Sequence, residues 1–304
     1  MKASKKLVFF GTEDFSAPSL QKLLDSGWPV LAVVTKPDSP SGRGQRTSPP
    51  KVKQIVERHK ILVLQPQKVA EINTEVSKLK PDLGVLVAYG MIIPQSTIDL
   101  FPGGIINAHP SMLPKYRGPS PIEAAILNGD KETGISLMRL TAGMDEGPVY
   151  DQKRVELTET ENRPQMYKKL AELSSDFLLE KLEAIAEGWL TPKPQVDAEA
   201  TYTNLLKKED GVMDFGQPAE VLERQVRAYA GWPKSQAQIF GREVIITKTR
   251  VAKDEKDGYL VIKCLPTGRQ ANPSYLEILE LIGPSGKSMS GADFQRGYSH
   301  PLPS

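Results

Sequence analysis

The chain has 304 residues, of which 39% are hydrophobic and 25% charged, with a formal net charge of +2. The length suits two domains, and the composition supplies apolar cores and excludes wholesale disorder. The small charge excludes the global positive field of a DNA-bound protein, so any contact with nucleic acid must come from a local basic patch.

The lone cysteine, Cys264, cannot form an intrachain disulfide, and an oxidising compartment is not called for. The apolar run Leu7–Phe10 near the start is too short for a signal peptide, and no segment reaches the length of a membrane span. A cytoplasmic protein with no membrane partner is expected.

In chain order, strands are predicted at Lys6–Phe10, Val30–Thr35, Ile61–Leu64, Leu83–Ala88, Ile105–Ala108 and Gly134–Leu140. Helices are predicted between them at Ser16–Ser26, Pro50–His59, Val69–Leu79, Pro94–Leu100 and Pro119–Leu127. The strands lack strict alternation, which marks them as buried on both faces. Strands alternating with helices predict an α/β, doubly wound, Rossmann-like sheet that is mostly parallel. A longer helix follows at Pro164–Glu187, with Met166, Leu170, Leu173, Phe177, Leu178, Leu182 and Ile185 in one stripe. Asn162 is its expected N-cap and Gly188 its C′ glycine.

Pro192, Pro194 and the polar run Gln195–Glu199 read as a linker. Beyond it, a helix at Pro218–Tyr229 precedes short strands at Ser235–Phe240, Glu243–Val251, Tyr259–Cys264 and Tyr275–Ile282. That texture predicts a small β-barrel. The expected division is 1–189, a linker over 190–208, and 209–304.

The stretch from Asn107 to Gly118 follows a buried strand, so it lies where open α/β sheets place their sites. Asn107 and His109 are two residues apart and face the same side of an extended strand end. An amide and an imidazole converging there would stabilise an oxyanion. Asp145 sits in a glycine-flanked turn after the strand that begins at Gly134, where a carboxylate can orient a histidine. Taken singly, His109 also reads as a core or capping histidine, and Asn107 and Asp145 as turn residues.

Other patterns fail. Gly283-Pro284-Ser285-Gly286-Lys287-Ser288 imitates a phosphate loop, but the required first glycine is Leu281, and no strong helix is expected after it. Gly11-Thr12 does not extend into a dinucleotide fingerprint. Ser111 has no nucleophile elbow. His59, His109 and His300 are scattered, and no metal is expected.

Asn107-x-His109-Pro110-Ser111-Met112-Leu113-Pro114-x-Tyr116-Arg117-Gly118, followed by Gly134-Ile135-Ser136 and Asp145-x-Gly147, resembles the signature of the 10-formyltetrahydrofolate-dependent formyltransferases. The resemblance covers nearly the whole chain. It takes in Phe9-Phe10-Gly11-Thr12 with Phe15, Lys36-Pro37-Asp38 with Gly42-Arg43-Gly44-Gln45-Arg46, the run Val226–Pro233, and Gly286-Lys287-x-Met289 with Phe294 and Gly297.

The resemblance implies formyl transfer from 10-formyltetrahydrofolate to the α-amine of methionyl initiator tRNA. Asn107 and His109 would hold the oxyanion, with Asp145 orienting His109 and helping to remove the amine proton. Leu86, Val87, Ala88, Tyr89 and Gly90 would bind the pterin, with Ser111, Met112, Leu113 and Pro114 also at the folate. Gly11, Thr12, Phe15, Lys36, Arg43 and Arg46 would serve the tRNA substrate, and the C-terminal barrel, of OB-like type, would bind tRNA. A monomer suffices.

By charge alone, Gly42–Arg46 with Lys36, Lys51 and Lys53 reads either as a solvated loop or as a mobile phosphate-binding loop. From Glu209 to Ser304 about twelve basic residues face about twelve acidic ones. A basic surface there requires residues such as Lys234, Arg242, Lys248, Arg250 and Lys263 to cluster in space. Two other functions compete: formyl transfer to a nucleotide-linked amino sugar, disfavoured by the Lys36–Arg46 loop, and a catalytically silent RNA-binding protein, disfavoured by the intact trio.

Overall fold

The computed structural model describes residues 5–41, 46–265 and 273–299; for 40, 41, 46 and 47 it describes the backbone alone. The chain forms two compact units. The first comprises Met1–Pro121, Thr133–Val155 and Tyr167–Thr203, and the second Ile122–Glu132, Glu156–Met166 and Asn204–Ser304.

In chain order the first elements are β1 (Leu7–Gly11), α1 (Ala17–Asp25), β2 (Val30–Val34), β3 (Ser39–Ser41), β4 (Arg46–Ser48), α2 (Lys51–Glu57), β5 (Leu62–Leu64), α3 (Asn73–Leu79), β6 (Leu83–Val87), α4 (Gln95–Ile98) and β7 (Ile105–His109). Then come α5 (Pro121–Asn128), β8 (Glu132–Arg139), β9 (Val149–Glu156) and α6 (Arg163–Ala186). The main sheet has the order β5-β2-β1-β6-β7-β8-β9. It is parallel from β5 to β7, and β8 runs antiparallel to β7.

Apolar runs make this sheet. All five residues of β1 are buried, and Val8, Phe10, Ala32, Val34 and Ile105 pack against Val69, Ile72, Val76 and Phe101. Register then decides where the site forms. Gly11 aligns with Val87, and Leu86 with Asn107. The C-terminal ends of β1, β6 and β7 therefore share one edge of the sheet, as ligand sites in such folds require.

α6 carries the expected stripe: Met166, Leu170, Phe177, Leu178, Leu182 and Ile185 are buried. Asn162 caps it reciprocally, its Oδ1 accepting from Gln165 N at 3.1 Å while its N donates to Gln165 Oε1 at 3.0 Å. Gly188 follows at φ 74°.

The second unit contains α7 (Ala219–Ala228), β10 (Ser235–Ile239), β11 (Arg242–Ala252), β12 (Val261–Cys264), β13 (Ser274–Ile282), β14 (Ser288–Ser290) and α8 (Gly291–Tyr298). Its antiparallel sheet, a half-barrel, has the order β10-β11-β13-β12, with β14 paired to β13. Leu222 and Val226 of α7 and Phe294 of α8 pack with Val244, Ile246, Leu276, Ile278 and Leu281 of the sheet.

Several expectations need correction. β9 and the β3–β4 hairpin were not foreseen; β9, Val-Tyr-Asp-Gln-Lys-Arg-Val-Glu, is charged and only partly buried. A helix, α8, does follow Ser288, so only the misplaced first glycine excludes a phosphate loop there. The run expected as a linker is not free chain, since 190–203 belongs to the first unit and Lys193 bridges to Val149. Among the described residues no helix is long and apolar enough to cross a membrane, and no group of His, Cys, Asp and Glu gathers as a metal site.

Candidate active site

Asn107 and His109 end β7, and both are buried. Asp145 lies in the turn between β8 and β9 at φ 51°. Its carboxylate is the meeting point of the site. Oδ1 accepts from Asn107 Nδ2 at 3.2 Å, and Oδ2 accepts from Gly118 N at 2.9 Å. His109 Nδ1 faces Oδ2 at 3.5 Å, longer than a hydrogen bond. His109 Nε2–H donates to Tyr116 O at 2.9 Å. The structure thus brings the three residues together. It also shows the imidazole's Nε2 engaged by a main-chain carbonyl, whereas Asn107 Nδ2 carries a second hydrogen for a substrate oxygen.

The loop after β7 is held from below. Ser111 Oγ donates to Lys115 O at 2.6 Å. Ser136 Oγ donates to Ser111 O at 2.6 Å and accepts from Leu113 N at 3.0 Å. Gln152 Nε2 donates to Leu113 O at 2.8 Å. Ser111 and Leu113 are buried, whereas Met112 and Pro114 are half-buried. Ser111 therefore acts here as a brace within its own loop.

The second flank of the loop is the strap 193–203. Arg117 N donates to Thr201 O at 2.9 Å, and Thr203 N to Arg117 O at 2.8 Å. Tyr116 N donates to Thr201 Oγ1 at 2.8 Å. Gly118 stands at φ 113°, and a Cβ there would lie 2.5 Å from Thr203 O, so this approach requires glycine. The Arg117 guanidinium is buried. It donates to Gln195 Oε1 at 3.1 Å, Tyr202 OH at 3.1 Å and Asp197 Oδ1 at 2.7 Å. Burial opposes its charge, but Asp197 and Tyr202 outweigh this and its pKa stands above the ordinary value.

The remaining expected residues divide into two groups. Thr12 is a junction: its N donates to Ala88 O at 3.2 Å and its Oγ1 to Tyr89 O at 3.0 Å, while Lys36 N donates to Thr12 Oγ1 at 3.2 Å. Ala88 and Tyr89 thus present carbonyls that are already engaged. Gly11 ends β1, Leu86 and Ala88 are half-buried, and Gly90 is exposed. Val87 and the Tyr89 ring belong to the core, the latter edge-on to Phe10 at 5.7 Å. Burial pushes the Tyr89 phenol up to about 12. Phe15 is buried against Tyr167 at 5.1 Å.

Gly90, at φ 72°, lies under the Lys36 ammonium, where a Cβ would come within 2.6 Å of Nζ. Bare backbone at Gly90, a cation beside it and half-buried Leu86, Ala88, Met112 and Pro114 suit a flat heteroaromatic ring with polar edges and an anionic tail. Arg43 lies outside the described residues, as does the side chain of Arg46. Lys51 pairs with Asp14 at 2.7 Å, and Lys53 with Asp38 at 2.8 Å, so neither adds free charge to that loop.

Residues 5–182 match the formyl transferase family, and 205–299 match the formyl transferase C-terminal domain. The chain belongs to the formyl transferase family. It is 38% identical to the methionyl-tRNA formyltransferase of Pelobacter propionicus, over 97% of this chain and 94% of that protein. It is 39% identical to the methionyl-tRNA formyltransferase of Roseiflexus castenholzii, over 97% of this chain and 96% of that protein. In fold it is similar to the N-formyltransferase from Helicobacter canadensis in complex with folinic acid and dTDP-3-aminofucose, with a TM-score of 0.67 at 18% identity, covering 90% of this chain and 98% of that one. The resemblance read from the motifs holds.

For this formyl transferase family member, sequence reasoning overlooked the supporting residues Arg117, Gly118, Gln195 and Thr201. Arg117 and Gly118 lie inside the Asn107–Gly118 motif, which by itself gives them no role. Gln195 was read as linker polarity, and its amide meets Asp145 only after the chain has folded back by 50 residues.

Proposed function

We propose that the chain transfers a formyl group from 10-formyltetrahydrofolate to the α-amino group of methionyl initiator tRNA, in support of translation initiation. The observation that carries this is the convergence of Asn107 Nδ2 and His109 Nδ1 on the Asp145 carboxylate at the C-terminal edge of β7. Identities of 38–39% with methionyl-tRNA formyltransferases over 97% of the chain favour this acceptor over an amino sugar. The intact trio speaks against a silent RNA-binding protein.

The folate supplies the formyl carbon that the amine attacks; a C–N bond to the amine forms as the C–N bond to the folate breaks. Asn107 donates its second Nδ2–H to the oxygen as negative charge develops there. His109 assists once its ring exchanges a main-chain partner for that oxygen. Asp145 fixes Asn107, faces His109, and takes the proton that leaves the amine, directly or through one water, so that it can pass to the folate nitrogen as that nitrogen departs. One such donor is worth roughly 3 kcal/mol of barrier.

Leu86–Gly90 and Ser111–Pro114 are the folate-binding segments in this proposal. Gly11, Thr12, Phe15, Lys36, Arg43 and Arg46 serve the tRNA side, Phe15 by packing behind it. We assign 1–189 to catalysis, 190–208 to the connection, whose 190–203 packs as part of the first unit, and 209–304 to tRNA binding, in a cytoplasmic monomer without DNA, membrane or metal. The test supplies 10-formyltetrahydrofolate and methionyl initiator tRNA and follows formylmethionyl-tRNA. Product dependent on both substrates is expected, and none at any enzyme concentration would overturn the assignment.

A further inference from the structure

We propose that Gln195 is a positioning residue that sets the place of Asp145 in the site. This rests on the formyl-transfer function proposed above. Gln195 Nε2 donates to Asp145 O at 2.8 Å and to Gly147 O at 2.7 Å. Its Oε1 accepts from Arg117 Nε at 3.1 Å. A primary amide has two N–H donors and one carbonyl, and here each has a partner. The opposite amide orientation would set oxygen against two carbonyls and nitrogen against a guanidinium, so these neighbours fix its sense.

The far end of the latch is Arg117. The Arg117 guanidinium is buried and is held by Asp197 Oδ1 at 2.7 Å and Tyr202 OH at 3.1 Å. The main chain of Arg117 is hydrogen-bonded to Thr201 and Thr203 on both sides. From this anchor Gln195 reaches the backbone of the turn that carries Asp145, a residue in the left-handed region at φ 51°. The same turn must keep Oδ2 on Gly118 N at 2.9 Å and Oδ1 on Asn107 Nδ2 at 3.2 Å. A displacement of about 1 Å in such a constellation lowers turnover on the order of a hundredfold. Gln195 touches neither the reacting atoms nor a donor to them, so its effect passes through Asp145.

Gln195→Ala and Gln195→Glu in the full chain separate this from simple support. Glu keeps the acceptor for Arg117 but, when ionised, has no hydrogen for the two carbonyls. Both variants should lower kcat at least tenfold and leave KM for 10-formyltetrahydrofolate and for methionyl initiator tRNA within about threefold. Exchange of the Gly118 amide hydrogen should quicken at least tenfold in both, measured well below the Tm of each variant. A smaller fall in kcat, recovery by Glu, a loss confined to KM, or unchanged Gly118 exchange would overturn the proposal. If the wild type makes no formylmethionyl-tRNA, the assignment of function fails, and Gly118 exchange alone then decides whether Gln195 positions Asp145.

Discussion

Two arginine clusters, one in each unit, use the same chemistry at different depths. The Arg117 side chain is 2% exposed and holds Asp197, Tyr202 and Gln195 beside the site. The Arg250 side chain is 43% exposed and holds Asp257 of the β11–β12 loop at 2.9 Å and Glu277 of β13 at 2.6 Å. The partners reverse this order: the Asp197 side chain is 83% exposed, so its pair with Arg117 is screened by water, whereas the Glu277 side chain is 7% exposed and has Arg250 as its cation. The second cluster also bears on RNA binding. Arg250 is neutralised by its partners, and Lys248 lies 3.9 Å from Glu280, so two of the five cations expected to form a basic face are paired.

The largest expected effect comes where polar groups meet substrate. Asn107→Ala should cut kcat about a hundredfold or more with little change in Tm, and a fall under threefold would remove Asn107 from the oxyanion role. Next comes the buried arginine: Arg117→Met should destabilise the fold by about 1–3 kcal/mol, read by urea unfolding, because the half-buried Gln195 Oε1 loses its donor, whereas the exposed Asp197 and Tyr202 turn to water. Arg250→Met takes the cation from the buried Glu277 carboxylate and should cost a comparable amount, and a clearly smaller loss would mean that Glu277 does not depend on the pair.

The Arg250 cluster should also respond to acid. The Arg250 hydrogen bond, then the Lys253 main chain, holds the Asp257 carboxyl down at about 2, from the usual 3.8. A folded-state pKa below the unfolded one stabilises the fold above the unfolded value, and this is lost as pH falls through the folded value. The Tm gap between wild type and Asp257→Asn should therefore be full above about pH 4 and vanish toward pH 2. A gap unchanged over that range would contradict the clamp. The smallest effect is expected at Tyr89, whose buried hydroxyl has no hydrogen-bond partner among the described residues. Tyr89→Phe should leave unfolding free energy unchanged or raise it by up to about 1 kcal/mol, whereas a marked loss would mean that the hydroxyl is bonded.

The parts legible in the sequence were those written in local pattern. Uninterrupted apolar runs marked β1, β2, β6 and β7, and the spacing from Met166 to Ile185 marked α6. Asn107 and His109 were legible because a strand alternates its side chains, so two residues apart means one face. What escaped depends on contacts distant in sequence. β9 is a charged strand at the edge of the sheet, without an apolar run to betray it. Gln195, Asp197 and Tyr202 lie in a proline-rich stretch whose composition is that of a linker; only its return onto Arg117 makes it part of the site. Tyr89, taken for a pterin contact, turns its ring into the core against Phe10 while only its backbone stays at the sheet edge.

The most direct test of the trio is the single-turnover rate of formylmethionyl-tRNA formation under saturating 10-formyltetrahydrofolate, compared between wild type and Asp145→Asn. Asparagine keeps the size of the side chain but has one carbonyl oxygen where the carboxylate has two, so it cannot serve Asn107, Gly118 and His109 as the acid does. A rate at least a hundredfold lower, with tRNA binding unchanged, is expected. A rate within threefold of wild type would contradict the central place given to Asp145.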